Sequence, residues 1–140
     1  MPVGYLGTPR LKNRLNSGTP QLACWVRCRD MFYVEMIANA GFDLLLIDAE
    51  HSPLTTGDIE HMAIAAHGSP CDVMVRMNGI DQSTFKQVLD SGIQGLVVPM
   101  VNSPEDAREM VRWGSYPPRG DRGIGPHRAK NFTDDPWEYQ

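Results

Sequence analysis

Asp48, Glu50 and His51 stand together directly after the apolar run Leu44–Ile47. An imidazole exchanges protons near neutral pH, and a neighbouring carboxylate can orient it or meet a metal. The segment Asp48-Ala49-Glu50-His51-Ser52-Pro53 therefore reads as a general acid/base site. It also fits a polar loop in which Asp48 and Ser52 cap turns.

Arg76 follows a second apolar run, Val73-Met74-Val75. A charge at the end of a buried strand is costly unless paired. Arg76 can hold a substrate carboxylate or an enolate oxygen in its guanidinium fork. Equally, it can form a structural ion pair with Asp48 or Glu50. Asp90 lies near the end of a helical segment, where its charge opposes the helix dipole, so a partner is expected.

Other polar groups carry weaker signals. Arg27-Cys28-Arg29 ends a strand, but adjacent side chains there point to opposite faces. Cys24 and Cys28 lack further close ligands for zinc, and Cys71 reads as a small core or loop residue. Pro99-Met100-Val101 offers shape and little chemistry. His61 and His67 read as surface residues of a helix, and the methionines as packing material. The tail Tyr116-Pro117-Pro118-Arg119-Gly120-Asp121-Arg122-Gly123-Ile124-Gly125 could cradle an anion or form a flexible loop. Lysine occurs only at 12, 86 and 130, none of them at a strand end. A Schiff-base mechanism needs a buried strand-end amine. Carbonyl chemistry would then depend on a metal to polarise the substrate.

These groups need a scaffold, and the apolar pattern supplies one. Four short runs, Leu22–Val26, Leu44–Ile47, Val73–Val75 and Gly95–Val98, are continuously apolar. That predicts strands of a parallel sheet covered on both faces. A helical pattern follows each run. Asp30 can cap the first helix, with Phe32, Val34, Ile37 and Ala38 favouring one face and Gly41 beyond its end. The second covers about Gly57 to His67, and the third starts after Asp81. Ser103, Pro104, Glu105 and Asp106 form the clearest helix start.

The sequence thus reads as α/β: an open four-stranded parallel sheet is possible, and the expected architecture is the first four βα units of a (β/α)8 TIM barrel, a truncated half-barrel. About 250 residues are typical for eight units, and this chain has 140. Residues 1–20 read as an irregular N-terminal arm, 21–113 as the four units, and 114–140 as a loop leading to a missing fifth strand. In such folds functional groups gather where the strands end, which favours the acid/base reading of His51.

Composition sets the class of partner. Lys+Arg 13 against Asp+Glu 17 gives a net charge of −4, which argues against nucleic-acid binding by broad phosphate neutralisation. No apolar run reaches about 18 residues, so no membrane span is expected. Met1 to Arg10 shows no secretory signal. Three cysteines without a disulfide spacing fit reduced thiols and a cytoplasmic location.

The ordered motifs Ala40-Gly41-Phe42-Asp43, Ile47-Asp48-x-Glu50-His51-Ser52-Pro53, Val75-Arg76, Leu89-Asp90-x-Gly92, Val98-Pro99-Met100-Val101 and Tyr116-Pro117-Pro118-x-Gly120-x-Arg122-Gly123 resemble the HpcH/HpaI family of class II, pyruvate-dependent aldolases. The resemblance covers roughly Leu22 to Gly125. It implies a (β/α)8 barrel, a divalent metal (Mg²⁺, Mn²⁺ or Co²⁺), and reversible cleavage of 4-hydroxy-2-oxo acids to pyruvate and an aldehyde. It further implies His51 as acid/base acting through water, Asp90 as its dyad partner, and Arg76 as the group that holds the pyruvate oxygen and enolate. Asp48 and Glu50 would support them. The family's metal ligands are a Glu and an Asp on the fifth and sixth strands, and none is carried over to this chain. A homo-oligomer is expected. The alternative expectation is a non-catalytic barrel fragment that associates with its own kind through its open sheet edges.

Overall fold

The computed structural model describes residues 10–125 and 128–130. The remaining parts of the expected arm and tail lie outside the described residues. Four parallel strands form one sheet: β1 (Ala23–Val26), β2 (Leu44–Asp48), β3 (Asp72–Arg76) and β4 (Gly95–Val97). Their spatial order is β1-β2-β3-β4, the order of the chain, with no reversal. Parallel neighbours require a crossover, and here each crossover is a helix. These are α2 (Met31–Ala38), α3 (Thr56–Ala65) and α4 (Gln82–Asp90), with α5 (Pro104–Gly114) after β4 and α1 (Arg10–Asn16) before β1.

The helix starts follow from side-chain capping. Asp30 accepts from the Tyr33 amide, and Asp81 from that of Thr84. Thr55 and Ser103 form capping boxes with Asp58 and Asp106. The Ser103 hydroxyl accepts from the Asp106 amide at 3.0 Å, and the Asp106 carboxylate accepts from the Ser103 amide at 3.0 Å. Ser103→Ala should therefore cost about 1 kcal/mol, measured as a shift in the urea midpoint. An unchanged midpoint would remove the box from the account of α5.

The core lies between the helices and one face of the sheet. Val26, Leu45, Ile47, Val73 and Val75 pack there against Val34, Ile37, Ile59, Met62, Phe85 and Val88. Consecutive crossovers of one hand, in a sheet with no order reversal, place α2, α3 and α4 on that face. The opposite face carries Leu44, Leu46 and Met74, which are half-buried, and Trp25 and Val97, which are exposed. The expectation of cover on both faces is corrected: among the described residues only one face is covered. Phe32 is also corrected. It is 75% exposed, because it sits two residues from Val34 and so off the stripe formed by Val34, Ile37 and Ala38.

The arm is not irregular throughout. Residues 10–16 form α1, which buries no side chain and is held by charge. Arg10 Nε meets Asp72 Oδ1 at 3.1 Å, the Leu11 amide donates to Asp72 Oδ2 at 2.6 Å, and Arg14 Nη1 meets Asp43 Oδ1 at 2.6 Å. Asp43 and Asp72 stand where β2 and β3 begin, so α1 lies by the starting ends of the strands. No helix among the described residues is long and apolar enough to cross a membrane.

Candidate active site

The ends of the strands hold the polar cluster, and strand register explains why. Asp48 pairs with Arg76, and Arg76 with Val97. Register partners in a parallel sheet share a face. Alternation puts Trp25, Leu46 and Met74 on that same face, opposite the core.

Asp48 is the hub. It is fully buried and accepts from Arg76 Nε at 2.9 Å and from Arg76 Nη2 at 2.8 Å. Its Oδ1 also accepts from the backbone amides of Glu50 and His51, each at 3.2 Å. Arg27 Nε lies 2.9 Å from Oδ2. The bidentate Arg76 guanidinium, with help from the His51 amide and nearby charge, holds the Asp48 carboxyl down at about 2 against the opposing pull of burial. The same hydrogen bonds push the Arg76 guanidinium above its ordinary value.

Arg76 thus realises the ion-pair reading and leaves room for the other. Its Nη1 lies 3.2 Å from Glu50 Oε2, and its guanidinium sits 4.6 Å over the Trp25 ring. A guanidinium has five N–H donors, so both Nη nitrogens retain hydrogens for a ligand. The side chain is 20% exposed. His51 is 65% exposed, with Nε2 3.9 Å from Glu50 Oε2. Met100, at the exit of β4, is exposed and holds a left-handed φ of 58°.

Asp90 belongs to a different element from Asp48, Glu50 and His51. It is the last residue of α4, and a crossover helix returns the chain to the starting ends of the strands. His51 follows the finishing end of β2. The His51–Asp90 dyad belongs to the functional proposal, and Asp90 lines one pocket with Thr56 and Gly57 at the start of α3. The expected partner of Asp90 exists and is Arg122, whose Nη2 lies 2.9 Å from Asp90 Oδ1. Arg122 is nearly buried and stacks 4.8 Å over Tyr116. The tail is likewise ordered by backbone bonds, with the Asp121 amide donating to Arg112 O and the Arg122 amide to Ser115 O. Arg122 is committed to a carboxylate through Nη2, and with Arg119 it lines a pocket that also includes Ser115 and Tyr116.

Among the described residues no three His, Cys, Asp or Glu side chains gather to hold a metal ion. Asp48 and Glu50 face arginines. These residues do not by themselves fit a divalent cation.

Two residues escaped the reading of the sequence. Trp25 carries both Arg27 and Arg76 over its ring, at 5.8 and 4.6 Å. Arg27 carries little signal of its own because adjacent residues at a strand end alternate in direction. The usable signal is the two-residue spacing from Trp25 in β1 to Arg27 just past its end, which keeps one face where the chain stays extended.

A singly wound parallel α/β layer with a charged cluster where its strands end is the frame of a barrel-type enzyme. The comparisons give the family. The HpcH/HpaI aldolase/citrate lyase family model matches residues 21–134, and the chain belongs to that family. It is 40% identical over 131 residues to a hydroxypyruvate/pyruvate aldolase of Roseovarius nubinhibens, covering 92% of this chain and 51% of the relative. It is 41% identical over 122 residues to a 4-hydroxy-2-oxovalerate aldolase of Novosphingobium aromaticivorans, covering 86% and 47%. The crystal structure of an HpcH/HpaI aldolase from Desulfitobacterium hafniense superposes with a TM-score of 0.83 at 31% identity, over 94% of this chain and 51% of that one. The chain spans about half the length of the relatives it matches.

Proposed function

We propose that this chain is the first half of a (β/α)8 aldol lyase, with residues 21–113 as its first four βα units. The whole protein would cleave 4-hydroxy-2-oxo acids to pyruvate and an aldehyde. One observation carries the reading: Arg76 and His51 leave adjacent strand ends and are tied to one buried carboxylate, Asp48.

The chemistry follows from that placement. His51, through a water, accepts the proton of the C4 hydroxyl. The C3–C4 bond breaks, its electron pair passes to the 2-oxo acid as an enolate, and the aldehyde leaves. Arg76 donates hydrogen bonds to the oxygens of the 2-oxo acid, whose charge grows in the transition state. The enolate then takes a proton at C3 to give pyruvate. Asp48 and Glu50 fix the guanidinium and the His51 loop. A dyad of His51 with Asp90 is part of the same proposal, and so is a homo-oligomer. A divalent metal, Mg²⁺, Mn²⁺ or Co²⁺, belongs to the whole-protein proposal, and so does a cytoplasmic location.

The test is pyruvate release from 4-hydroxy-2-oxo acids, with added Mg²⁺ or Mn²⁺, by the full-length protein and by this chain. The full-length protein should turn over and this chain should be far slower. A full-length protein that cleaves no such acid would sink the proposal.

A further inference from the structure

We propose that Ser115, Tyr116, Arg119 and Arg122 form a binding site for a phosphate group, present as the free ion or carried by a small phosphate monoester. The inference goes beyond the aldolase reading and does not depend on it. None of these residues belongs to the strand-end cluster of Asp48, Glu50, His51 and Arg76. They line a cavity of about 330 Å³ just past the end of α5. Among the described residues no carboxylate lines it, and Pro117 and Pro118 give it an apolar wall.

The donors of this cavity are largely unspent. Arg122 is only 8% exposed, and a guanidinium so placed needs acceptors for five N–H groups. It donates from Nη2 to Asp90 Oδ1 at 2.9 Å, and its Nε is buried without a partner. Its Nη1 forms no hydrogen bond among the described residues. The side chain of Arg119 is exposed and forms neither an ion pair nor a hydrogen bond there, and the Ser115 and Tyr116 hydroxyls form no hydrogen bond. Two positive groups and two hydroxyls that line one cavity with free donors call for a ligand made of acceptors. A phosphate group offers three or more oxygens and up to two negative charges, and it matches guanidinium forks. A carboxylate offers two oxygens and one charge. Lys86 adds to the positive field, since its Nζ lies 3.5 Å from where a side chain at Gly123 would begin.

The cavity is also built in advance. The Arg119 amide donates to Tyr116 O, the Asp121 amide to Arg112 O and the Arg122 amide to Ser115 O, each at 3.1 Å. These bonds fold residues 115–122 back on the end of α5. The turn is so close at Gly120 that any side chain there would run into the carbonyl oxygens of Arg112 and Ser115. Arg122 is further steadied by Asp90 and by its stack 4.8 Å over the Tyr116 ring. A ligand therefore meets the inner guanidinium already in place, and only the Arg119 side chain has to be ordered on binding.

The experiment is titration calorimetry on the full-length protein with inorganic phosphate, glycerol 3-phosphate and acetate, a readout that needs no turnover. Both phosphates should bind, and acetate should bind about tenfold more weakly or less. Tighter binding of glycerol 3-phosphate supports a site for monoesters, and binding of inorganic phosphate as tight or tighter supports a site for the free ion. Arg119→Gln should weaken phosphate binding about tenfold or more, the scale of a lost charge-assisted hydrogen bond. Arg119→Lys, which keeps the charge and loses the fork, should recover part of the loss. Arg119 supports nothing else in the fold, so both variants should melt with the parent. Saturating pyruvate should leave phosphate binding unchanged, because Arg76 takes no part in this cavity. Phosphate affinity within about twofold of the parent in Arg119→Gln overturns the proposal. So does acetate binding as tightly as phosphate, or displacement of phosphate by pyruvate.

Discussion

Asp48→Ala is expected to destabilise this chain by about 3 kcal/mol, because breaking a buried ion pair strands the partner charge. The carboxylate is fully buried, and it accepts from one guanidinium twice and from two amides. Glu50 at 3.2 Å gives Arg76 a residual partner, which keeps the loss toward the lower end for such pairs. Against a typical domain stability of about 5–15 kcal/mol this is a large fraction, readable from the urea midpoint. The pH dependence adds a second readout. The Asp48 carboxyl sits at about 2 in the folded chain, against an ordinary 3.8. A lowered folded value means stability that is present above pH 3.8 and lost as the pH falls toward 2. Asp48→Asn should remove that part of the acid sensitivity. A variant as stable as the parent at pH 7, with the same acid profile, would show that the hub does not hold the mouth together.

Much of this arrangement was legible in the residues because it is set locally. Continuous apolar runs located the strands within a residue or two, since β-branched and aliphatic side chains must be removed from water wherever the chain extends. Asp30, Asp81 and Ser103 marked helix starts because a side-chain oxygen must satisfy the free amides of the first turn. The strand-end placement of His51 and Arg76 followed from the same runs. What stayed hidden depends on partners distant in sequence. Residues 10–16 carry only two apolar side chains, Leu11 and Leu15, and their helix is anchored by Asp43 and Asp72, far along the chain. The uncovered sheet face could not be foreseen either, since an apolar run reads the same whether its second face is covered or open. Asp90 was flagged through its unfavourable place at a helix end, but its partner, Arg122, lies 32 residues on. Arg29 follows the bend at Cys28 and pairs with Asp58, so Arg27 alone of the two joins the cluster.

His51→Ala should separate function from folding in a way that Asp48→Ala cannot. The His51 imidazole is 65% exposed and forms no buried pair, while its structural bond runs from the backbone amide to Asp48. Alanine keeps that amide, so the stability change should stay within about 0.5 kcal/mol. The loss in turnover of the full-length protein should instead reach the scale of a missing general acid/base, about 10²–10⁴-fold. Binding of pyruvate should persist, because Arg76 and its carboxylate partners are untouched. Arg76→Ala would differ on both counts, weakening pyruvate binding and stranding Asp48 in the fold. The pair of variants therefore divides the cluster by role, an imidazole that moves protons and a guanidinium that holds charge. Turnover in His51→Ala equal to that of the parent would assign proton transfer to another group and reduce the Asp48-to-His51 turn to a loop anchor.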